Sequence, residues 1–495
     1  MEKTKRTKKS KKTKTTEWLL KVLGYFICSL MLVAGIIATA YVLKIKVVPT
    51  KYIIIFDVVY LLCTILFFIL QRWSTPGIIT KFLAILLTGI VILACYYIDY
   101  TYNRVQDMLD VDTKIDNVNV YVLNEDPAQN IEDARDYTFG ILSVQDRKNT
   151  DKTLANINAE LGIQVATAEY GSIVDLIQAL YDREVGCVVL NSAYIGFVSE
   201  EENYKDFSKR VRSIATNEIE TVVETKKNED YLYNGDKVFT VYISGVDTRS
   251  TTNENSNSDV NIILTVNMDT NQILMISTPR DFYIPLSISD GYPDKLTHAG
   301  GYGIDVSKDT LAMLYEVHID DYVRLNFTGF EEIIDELGGI TVYSEQEFGW
   351  EEHYFYEGYN DLMGEAALAF ARCRKTLADG DRQRGRNQMA VIEAVIDKML
   401  SPELLYNYTD ILDAVSDSML TSMSYDRISE LVKYQLENNK KWEVLKYSVD
   451  GYDAMDVTYS TGDMAVYVMK PNEDTVEQAK EYLRQMYAGK RIVVK

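Results

Sequence analysis

Three long apolar runs open the chain, at residues 22–43, 52–70 and 82–98. Each is close to the roughly 20 apolar residues that a membrane-spanning helix needs. The first run is too long for the core of a signal peptide, and two further spans follow it. We therefore expect three transmembrane helices within residues 22–100.

After residue 100 the pattern changes to short apolar runs that alternate with helical periodicity. Strands are predicted at 118–122, 139–144, 163–166 and 187–190, and helices at 154–161 and 172–181. This alternation predicts a small α/β accessory domain over residues 115–225. Polar turn residues at 226–236 indicate a boundary before a larger domain, residues 237–490. Its last part is expected to complete the same α/β fold.

The larger domain begins with three predicted strands. The first, Val238–Val246, ends at Asp247, Asp259 precedes the second at 260–266, and the third, Gln272–Ser277, leads to Arg280. In an antiparallel meander these three side chains meet at one edge of the sheet. Paired carboxylates there suit a hard divalent cation that also binds phosphate oxygens. The alternative is that both aspartates only cap loops.

A cluster of arginines follows in an otherwise acidic region. Arg372 and Arg374 share one face if the segment is extended, and Asp381, Arg384 and Gln388 share one face of a helix. Guanidinium groups bind phosphate oxygens in a fork geometry, so this pattern predicts an anion site. A surface salt-bridge cluster is the alternative.

Charge is unevenly distributed along the chain. The first 100 residues contain 14 Lys and Arg against four acidic residues, whereas the remainder contains 37 against 69. The acidic remainder does not favour nucleic acid as a partner. Residues 1–21 are predicted to be a basic cytoplasmic tail, disordered over residues 3–14. An odd number of spans then puts everything after residue 100 outside the cell. An outside site has no ATP, so its substrate must arrive already activated.

Other common chemistries have little support. The chain has only three histidines, and its five cysteines lack the spacing of metal ligands. A zinc site or a histidine-based triad is therefore not expected.

These residues resemble the LytR-CpsA-Psr family over about 237–400. The motifs that carry the resemblance occur in the family's order. They are Gly245-Val246-Asp247-Thr248-Arg249, Ser258-Asp259, Thr278-Pro279-Arg280-Asp281, residues 295–301, residues 322–330, residues 337–340, Gly364 to Leu368, Arg372 with Arg374, and Asp381 with Arg384 and Gln388. Thr297 departs from the family, which often has Asn there. Three spans and an accessory domain are most similar to the capsule-associated CpsA-type branch.

The resemblance implies a mixed-sheet α/β/α catalytic domain and an extracytoplasmic phosphotransferase in a Gram-positive-type bacterial envelope. Such an enzyme moves a glycan polymer, capsular or teichoic-acid-like, from polyprenyl pyrophosphate to peptidoglycan. Partners would be the lipid-linked glycan, peptidoglycan, the membrane and other envelope polysaccharide assembly proteins.

The same resemblance implies roles for individual residues. Asp247 and Asp259 would hold Mg²⁺, with Mn²⁺ as the other candidate ion. Arg280, Arg372, Arg374 and Arg384 would bind the pyrophosphate, with support from Gln388. Asp381 would either orient an arginine or accept the proton of the incoming hydroxyl, so the catalytic set is Asp381, Arg384 and Arg280.

An apolar slot for the polyprenyl chain has candidates on three segments. They are Leu311, Leu314 and Val317, then Phe327, Phe330, Ile333, Ile334 and Leu337, then Met389, Val391, Ile392, Val395, Ile396 and Leu400. Two other functions stay open: a hydrolase of polyprenyl pyrophosphates, and a non-enzymatic membrane regulator of envelope biosynthesis.

Overall fold

A computed structural model describes residues 2–109, 113–199, 202–222, 231–232, 237–246, 255–377, 379–400, 408–438 and 440–494. The chain divides into two compact units. One comprises Met1–Asp107 and Ser424–Lys440, and the other comprises Met108–Met423 and Lys441–Lys495.

The first unit contains three long helices, α1 (Glu2–Ile45), α2 (Thr50–Leu70) and α3 (Ser74–Leu109). Within them, Glu17–Ile45, Thr50–Leu70 and Thr75–Gln106 are long and apolar enough to cross a membrane. The prediction of three spans is therefore confirmed. The prediction of a disordered tail is wrong, because α1 begins at Glu2. Lysine is a good helix former, and extending an existing helix costs far less than starting one.

The accessory domain is a five-stranded sheet with helices, in the strand order β3-β2-β4-β1-β5. Its elements are β1 (Thr113–Leu123), β2 (Thr138–Leu142), α4 (Arg147–Leu161), β3 (Ala166–Tyr170), α5 (Ile173–Tyr181), β4 (Cys187–Asn191), a 3₁₀ turn (Ser192–Tyr194), α6 (Ile195–Val198), α7 (Phe207–Arg210) and β5 (Val211–Val222). The strand predicted at 163–166 begins only at Ala166, because Ile163 and Val165 pack into the core before the strand starts. Strand β5 was not predicted, because its many polar residues obscure the alternation of apolar and polar positions that is typical of a strand.

The remaining elements follow β5 and, apart from α14, belong to the larger domain. They are β6 (Val238–Val246), β7 (Ser258–Asn267), β8 (Gln272–Ser277), β9 (Tyr283–Pro285), β10 (Pro293–Lys295), α8 (Leu296–Tyr302), α9 (Ile304–Tyr315), β11 (Asp321–Asn326), α10 (Phe327–Glu336), β12 (Ile340–Ser344), β13 (Phe348–Trp350), β14 (His353–Phe355), β15 (Gly358–Leu362), α11 (Gly364–Arg372), α12 (Asp381–Met399), α13 (Tyr408–Ser418), β16 (Met419–Thr421), α14 (Tyr425–Asn438), β17 (Glu443–Ser448), β18 (Gly451–Thr458), β19 (Gly462–Pro471) and α15 (Glu473–Tyr487). Of these, α14 falls in the first unit.

A six-stranded mixed sheet in the order β16-β11-β6-β7-β8-β17 organises this domain. Strands β6, β7 and β8 form the predicted antiparallel meander, whereas β11 and β17 pair in parallel with β6 and β8. Side chains alternate across the sheet. Tyr242 packs into a core with α8, α9 and α15, and Ile243 faces a cavity beside α10, α11 and α12. The α/β/α architecture is confirmed, and the C-terminal β17 and α15 complete it as expected.

Candidate functional site

The meander brings Asp259 and Arg280 together, as predicted. Asp259 lies at the start of β7, and Arg280 follows the end of β8, its antiparallel neighbour. Nη1 of Arg280 donates to Oδ1 of Asp259 at 2.8 Å, with the two side chains only 10% and 19% exposed. Asp247, the other predicted acid, lies outside the described residues.

A cavity of about 360 Å³, called here the arginine cavity, opens between this edge of the sheet and helices α10, α11 and α12. It combines one carboxylate and several cations with a largely apolar wall. Its lining includes Asp259, Arg280, Arg372, Arg374, Lys375, Arg384 and Gln388, with Ile243, Val260, Leu325, Phe327, Phe330, Trp350, Leu368, Ala371, Val391 and Ile392. The described residues of the predicted pyrophosphate site therefore converge on one space.

Arg372 and Arg374 reach the arginine cavity from either side of a buried cysteine. Helix α11 ends at Arg372, and Cys373 has extended backbone angles (φ −60°, ψ 127°). This geometry points the residues before and after Cys373 to the same side, as the i, i+2 spacing predicted. The Arg372 guanidinium also lies over the ring of Phe327, 4.5 Å from its centroid, which fixes the cation against the apolar wall.

Helix α12 presents Asp381, Arg384 and Gln388 on one face, as predicted. All three line a small gap beside Arg280. Nη2 of Arg384 lies 2.6 Å from Oδ1 of Asp381. Burial raises the pKa of the Asp381 carboxyl above its ordinary value, and the positive charge of Arg384 partly opposes that rise. Asp381 is therefore better suited to accept a proton than an exposed aspartate.

Two further buried charges, given no role by the sequence analysis, support Arg280. Its Nε lies 3.5 Å from Oδ2 of Asp281, and Nζ of Lys295 lies 3.3 Å from Oδ1 of the same carboxylate. Arg280 is thus held between Asp259 and Asp281. The adjacency of Asp281 to Arg280 in sequence was a signal, but the approach of Lys295 depends on the β9–β10 pairing.

Two other arginines of the cluster form salt bridges, as the alternative interpretation of the cluster expected. Arg382 pairs with Asp450 and donates from Nη2 to the Gly451 carbonyl at 2.6 Å. Arg386 pairs with Glu345 at 3.1 Å. Neither residue lines the arginine cavity.

The candidates for the apolar slot divide between the arginine cavity and the protein core. Phe327, Phe330, Val391 and Ile392 line the arginine cavity. The expectation is wrong for Leu311, Leu314 and Val317, which pack in the core on the opposite face of the sheet. Their helical spacing marked an apolar face but not the side of the sheet that it covers. Ile333 and Leu337 pack instead against Ile411.

The donor chemistry of Asp259 fits a hard cation. Its carboxylate lies among the arginines that would bind phosphate, and Mg²⁺ typically uses one or two carboxylates together with phosphate oxygens. Among the described residues, no three His, Cys, Asp or Glu side chains form a metal-binding group.

The accessory domain forms hydrogen bonds with residues 255–257, which precede Asp259 in the chain. Nδ2 of Asn255 and Nδ2 of Asn191 both donate to Oδ1 of the buried Asp116, each at 2.7 Å. Nearby, Nδ2 of Asn257 donates to the carbonyl of Gly196 at 3.1 Å. These contacts link the accessory domain to residues that end two positions before Asp259, and the sequence gave no signal for them.

Comparison with known proteins adds independent information. The sequence model of the LytR_cpsA_psr family matches residues 202–485. A Bacillus cereus protein, "polyisoprenyl-teichoic acid--peptidoglycan teichoic acid transferase TagU", is 31% identical over 234 residues, or 47% of this chain and 76% of that protein. TagU of Enterococcus faecalis is 35% identical over 214 residues, or 43% and 70%. The crystal structure of B. subtilis TagV aligns over 51% of this chain and 98% of that one, with 27% identity and a TM-score of 0.43.

Proposed function

The chain belongs to the LytR_cpsA_psr family, and on this premise we propose that it transfers a polyisoprenyl-linked glycopolymer to peptidoglycan. The observation that carries the proposal is the convergence of Asp259, Arg280, Arg372, Arg374 and Arg384 on one partly apolar cavity. The cations suit a pyrophosphate, and the apolar wall suits the first isoprene units behind it. The relatives named teichoic acid transferases support the same donor and acceptor classes.

The reaction is a phosphoryl transfer without a covalent enzyme intermediate. The oxygen of an acceptor sugar hydroxyl attacks the phosphorus that carries the glycan, and the bond from that phosphorus to the bridging oxygen breaks. Polyprenyl phosphate leaves, and the glycan becomes joined to peptidoglycan through a phosphodiester. The four arginines neutralise the charge that builds up on the phosphoryl oxygens, which is the main protein contribution to such reactions.

Asp381 accepts the proton of the acceptor hydroxyl in this proposal. Its raised pKa and its position beside Arg384 support the role. Asp281 and Lys295 keep Arg280 oriented toward the pyrophosphate.

Asp259, together with Asp247, would hold Mg²⁺, or Mn²⁺ in its place. When bound, the ion would add positive charge near the pyrophosphate oxygens. The ion pair between Arg280 and Asp259 would then share the carboxylate with the metal.

The proposed site lies outside the cell, with the basic N-terminus in the cytoplasm. The three apolar helices support membrane attachment, and the excess of Lys and Arg before the first span supports this orientation. The pyrophosphate bond of the donor then supplies the activation that an extracytoplasmic enzyme cannot take from ATP. The polymer is teichoic-acid-like or capsular, and the names of the relatives favour the former.

The test uses the full chain in detergent micelles with a polyprenyl-pyrophosphate-linked oligosaccharide, Mg²⁺ and peptidoglycan oligomers, read by mass spectrometry. We expect a glycan–phosphate–peptidoglycan adduct that is lost in Arg374→Ala. Arg135→Ala is the matched control, since Arg135 pairs with Glu132 in the accessory domain, away from the arginine cavity. An equal yield of adduct in Arg374→Ala and Arg135→Ala would contradict the assigned site.

A further inference from the structure

A second cavity of about 360 Å³ lies on the other side of helix α12 and is called here the tyrosine cavity. Its walls come from β12, α12 and β17. They consist of Tyr343, Glu345, Arg386, Asn387, Met389, Ala390, Lys446, Tyr447 and Ser448. We propose that this cavity binds the pyranose rings of the acceptor glycan, an inference that rests on the proposed transferase function.

The charges of the tyrosine cavity distinguish it from the arginine cavity. Its two cations are neutralised locally, because Arg386 pairs with Glu345 at 3.1 Å and Lys446 pairs with Glu393 at 2.5 Å. By contrast, the arginine cavity contains four arginines and Lys375 but only Asp259 as a described acid. A neutral polar cavity suits sugar hydroxyls, which donate and accept hydrogen bonds, better than it suits a polyanionic donor.

An aromatic pair extends the tyrosine cavity along the surface. Tyr343 and Tyr359 are cross-strand partners in the antiparallel pair of β12 and β15, with ring centroids 5.2 Å apart. They remain 48% and 78% exposed. Tyrosine offers a rigid apolar face with a polar hydroxyl at little entropic cost, which matches the mixed surface of a pyranose ring. The pair therefore provides a platform beside the cavity for a neighbouring sugar unit.

A narrow gap borders both the tyrosine cavity and the arginine cavity. The gap, of about 10 Å³, shares Arg384 and Gln388 with the arginine cavity and Ser448 with the tyrosine cavity, and Asp381 lines it as well. This gap is about the size of one water molecule, hence of one hydroxyl group. The buried Oγ of Ser448 has no hydrogen-bond partner among the described residues. A sugar hydroxyl passing Ser448 would satisfy that oxygen and come within the same gap as Asp381.

The experiment measures binding of soluble peptidoglycan saccharides to the full chain by saturation-transfer NMR, without donor or metal. It then measures the KM values of acceptor and donor in the transfer reaction. We expect Tyr343→Ala to weaken saccharide binding and to raise the acceptor KM about tenfold, with the donor KM unchanged. Tyr343→Phe should retain most of the binding, because the ring face remains.

Tyr452→Ala is the matched control, since Tyr452 is 63% exposed on β18 and does not line the tyrosine cavity. Loss of saccharide binding in Tyr343→Ala alone supports the site even if no transfer is detected, in which case only the proposed function fails. Equal binding and equal acceptor KM in the wild type and folded Tyr343→Ala would overturn the inference even if transfer occurs.

Discussion

Arg280 and Asp259 form an ion pair at the edge of the central sheet, with 2.8 Å between Nη1 and Oδ1. The pair joins the ends of two antiparallel strands and borders the arginine cavity. It brings the predicted metal-binding acid and a predicted pyrophosphate-binding cation into direct contact. The first prediction follows from this contact.

Arg280→Lys keeps the charge but removes the fork that contacts Asp259 and Asp281. Because lysine cannot reproduce the bidentate geometry, we expect kcat to fall by about 10²–10³, the usual effect of losing one transition-state donor. Steady-state kinetics with a lipid-linked donor measures this loss. An unchanged kcat would show that a positive charge at position 280 is sufficient and that the guanidinium geometry contributes nothing to transfer.

The meeting of Asp259 and Arg280 was predictable from the sequence. Runs of β-branched residues separated by polar turns defined β6, β7 and β8 and their antiparallel order. The helix face of Asp381, Arg384 and Gln388 was predictable from its spacing. The support of Arg280 by Lys295 was not, because it depends on two three-residue strands that carry no periodic signal. The pairing of Tyr343 with Tyr359 likewise depends on the register of β12 against β15, two strands that are not consecutive in the chain.

Asp259→Asn removes the charge that the proposed cation needs while keeping the size of the side chain. We expect the Mg²⁺ concentration for half-maximal activity to rise by at least about tenfold, because an amide is a much weaker ligand for a hard cation. Isothermal titration with Mg²⁺ and a pyrophosphate analogue provides a readout that does not depend on turnover. Identical Mg²⁺ binding in the wild type and Asp259→Asn would exclude Asp259 as a ligand.

The pH dependence of the transfer rate should reflect the ionisation of the Asp381 carboxyl. The proposed base must be ionised, and its pKa is raised by burial. The rate should therefore fall as the pH decreases through that raised pKa, which puts the acidic limb above the range of an ordinary aspartate. Arg384 lowers this pKa, so Arg384→Gln should move the limb of the residual activity to still higher pH.

Asp381→Asn separates the two roles that the sequence analysis left open for this residue. If Asp381 is the base, kcat/KM should fall by about 10²–10⁴ and the acidic limb should vanish. A lower rate with the same acidic limb would instead mean that Asp381 only orients Arg384. The pH profile of kcat/KM for the variant distinguishes these outcomes.

The contact between Asn255 and Asp116 should stabilise the loop that leads into Asp259. Asp116→Ala leaves the Asn255 amide without this acceptor, whereas the Asn191 amide keeps its second hydrogen bond, to Oδ2 of Asp146. We expect the free energy of unfolding to fall by about 1–3 kcal/mol, the typical cost of unsatisfied buried polar groups. Denaturant unfolding followed by circular dichroism measures it.

Asn156→Ala is the control for this prediction, because the hydrogen bond from the Asn156 side chain to Asn217 is exposed to solvent. It should change the free energy of unfolding by less than about 0.5 kcal/mol. Equal effects of Asp116→Ala and Asn156→Ala would show that the contact contributes nothing specific.

The apolar wall of the arginine cavity predicts that the KM for the donor depends on the length of its polyprenyl chain. Ala371→Phe adds a ring to that wall, so we expect the KM to rise more for a long polyprenyl donor than for a two-isoprene donor. Comparing both donors on the same variant makes the short one an internal control, and the melting temperature reports any overpacking. An equal change for both donors would show that the lipid lies elsewhere.

In the proposed reaction a sugar hydroxyl, rather than water, attacks the donor at this site. The most direct measurement runs the full chain with donor, Mg²⁺ and peptidoglycan oligomers in H₂¹⁸O and analyses every phosphorus-containing product by mass spectrometry. Attack by a sugar hydroxyl gives a glycan–phosphate–peptidoglycan adduct and polyprenyl phosphate, neither of them carrying ¹⁸O. Release of a phosphoglycan or polyprenyl phosphate labelled with ¹⁸O, without the adduct, would show that water is the attacking group and that the enzyme is a hydrolase.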